Sequence, residues 1–291
     1  MENQAPYQPR IRTFLEMVKF SHTVFALPFA LLAALLAANG LPSLWKILWI
    51  IVAMAGARTG AMGANRLLDA KIDARNPRTR NRALPTGQIN PRQALLMTGV
   101  SYLIFIFAAA MLNPLCLHLA PYVIMLLTAY SAAKRYTIYT HYILGLCLGL
   151  APIGAWIAIS GTLALTPLIL ALAVGSWVSG FDLLYSLQDI EFDQQEGLHS
   201  IPASIGVVKT MALARKLHLG MLGGLFFVYL ISPSLGWLFL LALLAVAALL
   251  HYEHEILSPT DLSKIDTAFF TINGYISIIL FVIAALDIFA G

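Results

Sequence analysis

The chain has 291 residues, of which 59% are hydrophobic and only 11% carry a formal charge. Soluble domains carry charge on about a quarter of their residues, so this composition excludes an ordinary soluble protein. Two uncharged stretches, residues 93–133 and 136–181, are each long enough for two membrane spans. Cys116 and Cys147 lie inside apolar stretches and are expected to be free thiols.

A spanning helix needs about 20 mostly apolar residues, and turn residues divide the longer apolar stretches into segments of that length. The pattern predicts an all-α, multi-pass membrane protein with nine transmembrane helices in one bundle. The predicted spans are residues 20–39, 44–68, 93–112, 115–133, 140–160, 163–187, 207–231, 234–251 and 268–289. Residues 1–18 are expected to form a cytoplasmic or interfacial segment, and residues 19–291 a single domain.

The basic residues fix the expected orientation, because cytoplasmic loops collect Lys and Arg. Nearly all basic residues outside the predicted spans fall on one side of the membrane. Lys46 alone falls on the other side, and Arg58 and Arg66 lie within the second span. The basic residues on the crowded side are Arg10, Arg12, Lys19, Lys71, Arg75, Arg78, Arg80, Arg82, Arg92, Lys134, Arg135, Lys209, Arg215, Lys216 and Lys264. The N-terminus is therefore predicted to be cytoplasmic.

The second span ends with polar residues at helical spacing. At about 100° per residue, Asn65, Asp69 and Asp73 fall within roughly 80° of arc, each one turn above the last. We call these three residues the first acidic stripe. It places one amide and two carboxylates on one helix face.

The sixth predicted helix ends in a second acidic stripe. Asp182, Asp189 and Asp193 are expected to share a face of a continuous helix, with Tyr185 beside them. The two stripes lie four helices apart, which suggests an internal repeat that places them opposite each other.

Placing carboxylates at membrane depth costs free energy, so two stripes of them require a functional explanation. Mg²⁺ supplies one, because it takes hard oxygen ligands and prefers one or two carboxylates together with substrate phosphate oxygens. The alternative is that the carboxylates only form ion pairs with nearby basic residues. These residues are Arg66, Lys71, Arg75 and Arg78.

Residues 76–87 lie between the stripes and carry alternating arginines. Proline near both ends predicts an extended loop with Arg78, Arg80 and Arg82 on one side. Guanidinium groups bind phosphate through two nitrogens, although a solvated loop surface remains an alternative for each arginine. The corresponding residues 197–203 are expected to form a lid or a turn.

These residues resemble the UbiA-type superfamily of intramembrane aromatic prenyltransferases. The first stripe matches the N-x-x-x-D-x-x-x-D pattern of that superfamily, and the second matches D-x-x-Y-x-x-x-D-x-x-x-D. Residues 82–87 and 134–137 also resemble segments of the family. Residues 19–28 and 184–193 resemble the 4-hydroxybenzoate polyprenyltransferase branch and its bacterial menaquinone-pathway relatives.

The resemblance implies Mg²⁺-dependent transfer of a polyprenyl group from its diphosphate to a ring carbon of a hydroxylated aromatic acid. The acceptor would be 4-hydroxybenzoate or a dihydroxynaphthoate, in ubiquinone or menaquinone biosynthesis. The implied metal ligands are Asn65, Asp69, Asp73, Asp182, Asp189 and Asp193. The implied catalytic residues are Asp69, Asp73, Asp189, Asp193 and Tyr185. The residues expected to bind diphosphate are Arg78, Arg82, Lys134 and Arg135.

The acceptor itself has two candidate contacts. Arg58 lies on nearly the same helix face as Asn65 but deeper, where an acceptor carboxylate or an acidic neighbour is its expected partner. His22 is the other candidate, with a packing role as its alternative. We expect membrane lipid to surround the protein, and we expect neither a nucleic-acid partner nor an obligate protein partner.

The expected location is the inner membrane of a bacterium, with the site facing the cytoplasm. Competing functions are a haem, chlorophyll or ether-lipid branch of the same superfamily, a transporter, and a CDP-alcohol phosphotransferase. The Asp-Gly-x-x-Ala-Arg segment of the last family is absent. The Lys-Asp-Asp-Tyr pattern of haem O synthases is also absent, which disfavours a porphyrin acceptor.

Overall fold

A computed structural model describes residues 10–18 and 25–290 of the chain. The described part is helical, apart from one isolated bridge between Ser258 and Asp261. Its helices are α1 (Arg10–Met17), α2 (Leu27–Ala38), α3 (Leu44–Asp73), α4 (Pro91–Leu112), α5 (Pro114–Ala129), α6 (Thr140–Ser160), α7 (Leu165–Tyr185), α8 (Ile190–Gln195), α9 (Ile201–Ile205), α10 (Val207–Ile231), α11 (Trp237–Glu255) and α12 (Asn273–Ala290). Short 3₁₀ helices cover Tyr130–Arg135 and Ser186–Asp189, and a π-helical turn covers Thr267–Ile272.

Eight helical segments within the described residues are long and apolar enough to cross a membrane. They correspond to the second to ninth predicted spans, and the predicted spans 140–160 and 207–231 coincide with α6 and α10. The first predicted span, 20–39, is represented by α2, which has 12 residues and follows residues that lie outside the description. The multi-pass helical membrane fold is therefore confirmed, whereas the count of nine spans stays a prediction.

Helix α2 lies at the centre of the bundle and is apolar on all sides. A helix of that kind is buried on all sides, and Phe29, Leu32 and Ala33 are indeed almost completely covered. The Phe29 ring lies 5.1 Å from the ring of Trp177 on α7. Since α2 packs against both α6 and α12, it joins these two helices in the hydrophobic core.

Glycines allow two helix pairs to approach closely. On α6, a Cβ added at Gly145 would lie 2.4 Å from the carbonyl oxygen of Gly175 on α7. On α3, a Cβ added at Gly56 would lie 2.9 Å from backbone atoms of Ser101 and Phe105 on α4. Small residues serve this purpose in membrane proteins, where close van der Waals contact holds helices together. These contacts fix α3 and α7, the two helices that carry the acidic stripes.

Lys46, near the start of α3, joins two other helix ends. Its Nζ donates to the carbonyl oxygens of Leu112 at 2.5 Å and Ala158 at 2.8 Å. These carbonyls belong to the C-terminal turns of α4 and α6, where unpaired oxygens and the helix dipole favour a cation. Lys46 therefore stabilises the end of the bundle opposite to the acidic stripes.

The length of α3 places the first stripe at the edge of the apolar layer. Its 30 residues make it about 45 Å long at 1.5 Å per residue. The hydrocarbon core of a bilayer is only about 30 Å thick. Its last turns, which carry the first stripe, therefore extend beyond the apolar part of the helix.

Candidate active site

A cavity of about 200 Å³ lies between the C-terminal ends of α3 and α7. Both acidic stripes line it, together with most of the cations that the sequence assigns to diphosphate binding. The predicted site residues that line this cavity are Asn65, Asp69, Asp73, Arg78, Arg82, Lys134, Asp182, Tyr185, Asp189 and Asp193. The fold therefore brings two segments more than 100 residues apart into one polar chamber.

The first stripe occupies consecutive turns at the end of α3, as predicted. Asn65 donates its amide to Asp69 Oδ2 at 3.0 Å, and Arg135 donates Nη2 to Asp69 Oδ1 at 2.9 Å. Nη1 of Arg82 lies 2.8 Å from both oxygens of Asp73. Asp69 and Asp73 are both buried, so each carboxylate is held by a cation as well as by its helix.

The second stripe does not lie on one continuous helix, and that prediction is wrong. Helix α7 ends at Tyr185, a 3₁₀ turn covers Ser186–Asp189, and α8 then begins. A 3₁₀ turn has about three residues per turn instead of 3.6, so it changes the direction in which later side chains point. Asp182, Asp189 and Asp193 nevertheless all reach the cavity.

Asp189, in the 3₁₀ turn after α7, accepts three hydrogen bonds from the loop after α3. Arg78 donates Nε to Asp189 Oδ1 at 3.0 Å and Nη2 to Oδ2 at 2.6 Å. The Asn76 amide adds a third donor at 3.2 Å. Burial alone would lower the pKa of Arg78, but the hydrogen bonds and negative charge of Asp189 outweigh it and raise that pKa above its usual value. Arg78 therefore stays charged at any physiological pH.

The loop after α3 is not extended, so the prediction that its three arginines face one way is wrong. Asn76 starts a series of turns, since its side chain accepts from Arg78 N and its carbonyl accepts from Thr79 N and Arg80 N. Asparagine side chains commonly stabilise turns in this way. Arg78 and Arg82 reach the cavity, whereas Arg80 is exposed and does not line it.

Tyr185 is held between a cation and an aromatic ring. The Arg78 guanidinium carbon lies 5.5 Å from its ring centroid, and the Phe269 ring lies 4.2 Å away. Phe269 belongs to the π-helical turn before α12, and such turns are frequent at functional sites. Phe269 was not singled out in the sequence, because nothing in its neighbourhood predicts a π-helical turn.

The segment 197–203 covers one side of the cavity. His199 N donates to the carbonyl of Lys134 at 2.7 Å, and Ser200 caps α9 and lines the cavity. Lys134 Nζ lies 3.5 Å from Oδ1 of the buried Asp193. The predicted lid or turn is a turn only at its start, because α9 begins at Ile201. The contact of His199 with Lys134 fastens this segment to the 3₁₀ helix at Tyr130–Arg135.

Three predicted site residues lie elsewhere. Arg135 is not part of the cavity lining, although it reaches Asp69. Arg58 also lies outside the lining, and its buried Nε has no hydrogen-bond partner. His22 lies outside the described residues.

The oxygen atoms around the cavity suit a divalent cation. Among the residues that the structure describes, no three His, Cys, Asp or Glu side chains come together as a ready metal-binding group. Mg²⁺ does not require one, because it binds through one or two carboxylates plus substrate phosphate oxygens and water. Asp193 Oδ1 is buried and forms no hydrogen bond, although Lys134 Nζ lies 3.5 Å away, so this hard oxygen could exchange the ammonium group for a metal ion.

One pair in the cavity wall was missed at the sequence level. His141 Nδ1 lies 2.7 Å from Asp182 Oδ2, across a separation of 41 residues. Asn76 was also missed as a partner of Asp189. Neither residue stands in a motif, and only the packing of α6 on α7 brings His141 to the site.

The UbiA prenyltransferase family matches residues 26–275 of the chain. This chain belongs to that family. It is 28% identical over 251 residues to the 4-hydroxybenzoate octaprenyltransferase of Aeromonas hydrophila, which covers 84% of this chain and 85% of that protein. The enzyme of the same name from Salmonella paratyphi B is 26% identical over 245 residues, covering 84% of this chain and 83% of the relative.

Solved structures of UbiA homologues share the fold of this prenyltransferase. The apo structure of a homologue from Aeropyrum pernix K1 has a TM-score of 0.84 and 30% identity, covering 92% of this chain and 98% of that one. A homologue from Archaeoglobus fulgidus bound to GPP and Mg²⁺ has a TM-score of 0.65 and 19% identity, covering 94% and 99%. The chain is thus an integral, multi-pass membrane prenyltransferase.

Proposed function

We propose that this prenyltransferase moves a polyprenyl group from polyprenyl diphosphate to a ring carbon of a hydroxylated aromatic acid in quinone biosynthesis. The acceptor is 4-hydroxybenzoate or a dihydroxynaphthoate. The observation that supports the proposal is the single cavity where both acidic stripes meet, with Arg78 and Arg82 between them. The curated relatives are named for the same reaction class with 4-hydroxybenzoate.

Mg²⁺ fits this site through its hard oxygen donors. One ion would be held by Asn65, Asp69 and Asp73 on the α3 side, and a second ion by Asp189 and Asp193. Bound there, Mg²⁺ would supply positive charge to the diphosphate oxygens. Asp182, the sixth predicted ligand, is engaged by His141 and is considered below.

The basic residues exchange partners when the substrate arrives. Arg78 and Arg82 now hold Asp189 and Asp73, and both present the planar fork that matches phosphate oxygens. Lys134 and Arg135 stand beside Asp193 and Asp69 in the same way. In our proposal, these four cations turn from the carboxylates to the diphosphate and stabilise its growing negative charge as it leaves.

The reaction breaks the allylic C–O bond of the donor and one ring C–H bond of the acceptor, forms one C–C bond and releases a proton. The allylic C–O bond breaks and its electron pair leaves with the diphosphate, so a carbocation forms. A ring carbon beside the acceptor hydroxyl gives two π electrons to form the new C–C bond, and the ring proton then passes to water. In our proposal, the bound substrates and the helices around the cavity keep water from the carbocation until that bond forms, and Tyr185 contributes its ring face or its hydroxyl.

Arg58 is our candidate for the acceptor carboxylate. It lies in α3 with a buried Nε that lacks a hydrogen-bond partner, and a buried donor left unpaired costs free energy. An acceptor carboxylate would remove that cost. His22 remains a second candidate for the acceptor, and its position lies outside the described residues.

The side of the membrane follows from charge. The cavity lies at the end of the bundle where the sequence gathers its Lys and Arg residues, opposite to Lys46. We therefore place the site on the cytoplasmic side of a bacterial inner membrane, with the N-terminus on the same side.

The direct test is an acceptor panel. Membranes containing the protein are incubated with a polyprenyl diphosphate, Mg²⁺ and separately 4-hydroxybenzoate, a dihydroxynaphthoate or a porphyrin. We expect a C-prenylated product from one of the two aromatic acids. Product from the porphyrin alone, or from none of the acceptors while the diphosphate binds, would contradict the proposed function.

A further inference from the structure

The cavity wall contributed by α6 contains a histidine with one free nitrogen. His141 lies in the first turn of α6, is buried, and lines the cavity. Its Nδ1 is 2.7 Å from Asp182 Oδ2, whereas its Nε2 is buried and has no hydrogen-bond partner. Ser131, which also lines the cavity, has a buried hydroxyl without a partner. Two residues of the cavity lining therefore each carry a buried polar atom without a hydrogen-bond partner.

The hydrogen bond between His141 and Asp182 determines whether Nε2 of His141 donates or accepts. An ionised carboxylate only accepts hydrogen bonds, so Nδ1 of His141 carries the hydrogen that faces Asp182. In the neutral ring, Nε2 then carries a lone pair and accepts a hydrogen bond. A buried acceptor left without a donor costs free energy. A ligand hydroxyl at this position would supply the donor.

Asp182 differs from the other predicted metal ligands in its partner. Asp69, Asp73, Asp189 and Asp193 each lie beside a basic side chain. Such carboxylates can exchange one cation for another when a metal binds. Asp182 instead contacts an imidazole ring, which suggests that its task is to orient that ring.

We propose that Asp182 positions His141, and that His141 Nε2 accepts a hydrogen bond from the hydroxyl of the aromatic acceptor. This inference rests on the proposed function and deepens it by assigning the hydroxyl subsite. Holding the hydroxyl at His141 selects phenolic acceptors and increases electron density at the neighbouring ring carbon, where the new bond forms. Asp182 then belongs to the acceptor subsite instead of the metal site.

The first test removes Nε2 alone. His141→Asn keeps a donor near Asp182, because the asparagine amide takes the place of Nδ1–H. The matched control is His118→Asn, at an exposed histidine on α5. Purified variants are assayed with 4-hydroxybenzoate and 4-methoxybenzoate, and their Mg²⁺-dependent binding of geranyl diphosphate is measured separately.

We expect His141→Asn to lower kcat/KM for 4-hydroxybenzoate about tenfold to hundredfold, as expected for a lost buried hydrogen bond. Its preference for the hydroxy over the methoxy acceptor should shrink by the same factor, while donor binding stays within about twofold of wild type. His118→Asn should match wild type in every assay. An unchanged hydroxy preference in His141→Asn would overturn the inference.

The second test separates positioning from metal binding. Asp182→Ala should lower kcat/KM for the acceptor, and Asp182→Asn should restore part of it, because its side-chain oxygen still accepts from Nδ1. Both variants should keep the Mg²⁺ concentration for half-maximal activity, whereas Asp189→Asn should raise it. A comparable rise in either Asp182 variant would show that Asp182 binds metal and would contradict the inference. If wild type prenylates neither aromatic acid, the proposed function fails, and that outcome is distinct from activity that is insensitive to His141.

Discussion

At the scale of single residues, the arginines of the loop after α3 show how geometry separates chemically identical side chains. Arg78 holds Asp189 through two nitrogens, while Arg80 is exposed two residues later. A guanidinium can bind a carboxylate or a phosphate with two parallel hydrogen bonds, which an ammonium group cannot reproduce. Charge alone therefore does not explain the role of Arg78.

Substituting lysine at the two positions tests this difference. Arg78→Lys keeps the charge but loses the fork, and hydrogen bonds to charged groups contribute about 1.5–3 kcal/mol. We expect kcat/KM for the prenyl donor to fall at least about tenfold, as measured by steady-state kinetics with varied diphosphate. Arg80→Lys is the matched control and should stay near wild type. Equal effects of the two substitutions would show that the loop acts only through its net charge.

The first stripe could be predicted from the sequence because its geometry is local. Asn65, Asp69 and Asp73 lie within one helix, so helical periodicity alone places them on one face. The contacts of Asp182 with His141 and of Asp189 with Asn76 join distant parts of the chain. Spacing in the sequence carries no information about such contacts, so the two acidic stripes could be recognised from the sequence and the partners of each carboxylate could not.

At the scale of helices, α6 and α7 are held together by contact between their backbones. Gly145 faces the carbonyl of Gly175 so closely that a methyl group would overlap it, whereas nothing lies within 4 Å of a Cβ at Gly154 on the same helix. Since α6 carries His141 and α7 carries Asp182, this contact also fixes the distance between those side chains.

Gly145→Ala should therefore destabilise the protein. We expect a loss of about 1–3 kcal/mol, typical of overpacking in a tight interface, and a lower midpoint of thermal unfolding in detergent. Gly154→Ala is the control in the same helix and should leave the midpoint unchanged or slightly higher, because alanine favours helix. A midpoint for Gly145→Ala equal to that of wild type would mean that the two backbones are not in contact.

The positions of the spans followed from apolar length, but the ends of the helices at the site did not. A continuous helix was predicted to carry the second stripe, and the structure ends α7 at Tyr185. The 3₁₀ turn at Ser186–Asp189 and the π-helical turn at Thr267–Ile272 are changes in hydrogen-bond pattern. They leave the apolar content of the segment unaltered, so hydropathy cannot detect them.

At the scale of the whole molecule, a buried chain of polar groups joins three helices away from the site. Trp177 on α7 donates Nε1 to Asn273 Oδ1 at 2.6 Å, and Asn273 on α12 donates to Glu253 Oε1 on α11 at 3.0 Å. Asn273 and Glu253 are completely buried. Polar side chains that form hydrogen bonds across helices stabilise membrane bundles.

Removing the middle member of this chain should destabilise the bundle. Asn273→Ala leaves the Trp177 donor and the Glu253 acceptor unpaired, at about 1–3 kcal/mol for each buried group. We expect the midpoint of thermal unfolding in detergent to fall. Asn81→Ala, at an exposed loop position, serves as control. A midpoint for Asn273→Ala that equals the control would argue against the polar chain.

The central claim is that the two acidic stripes hold a prenyl diphosphate through Mg²⁺, and binding of geranyl diphosphate to the purified protein tests it most directly. The account predicts saturable binding that disappears on chelation of Mg²⁺. Asp69→Asn and Asp189→Asn should weaken it strongly, and the exposed neighbour variant Glu191→Gln should retain it. Binding that survives chelation and is unchanged in both aspartate variants would contradict the account.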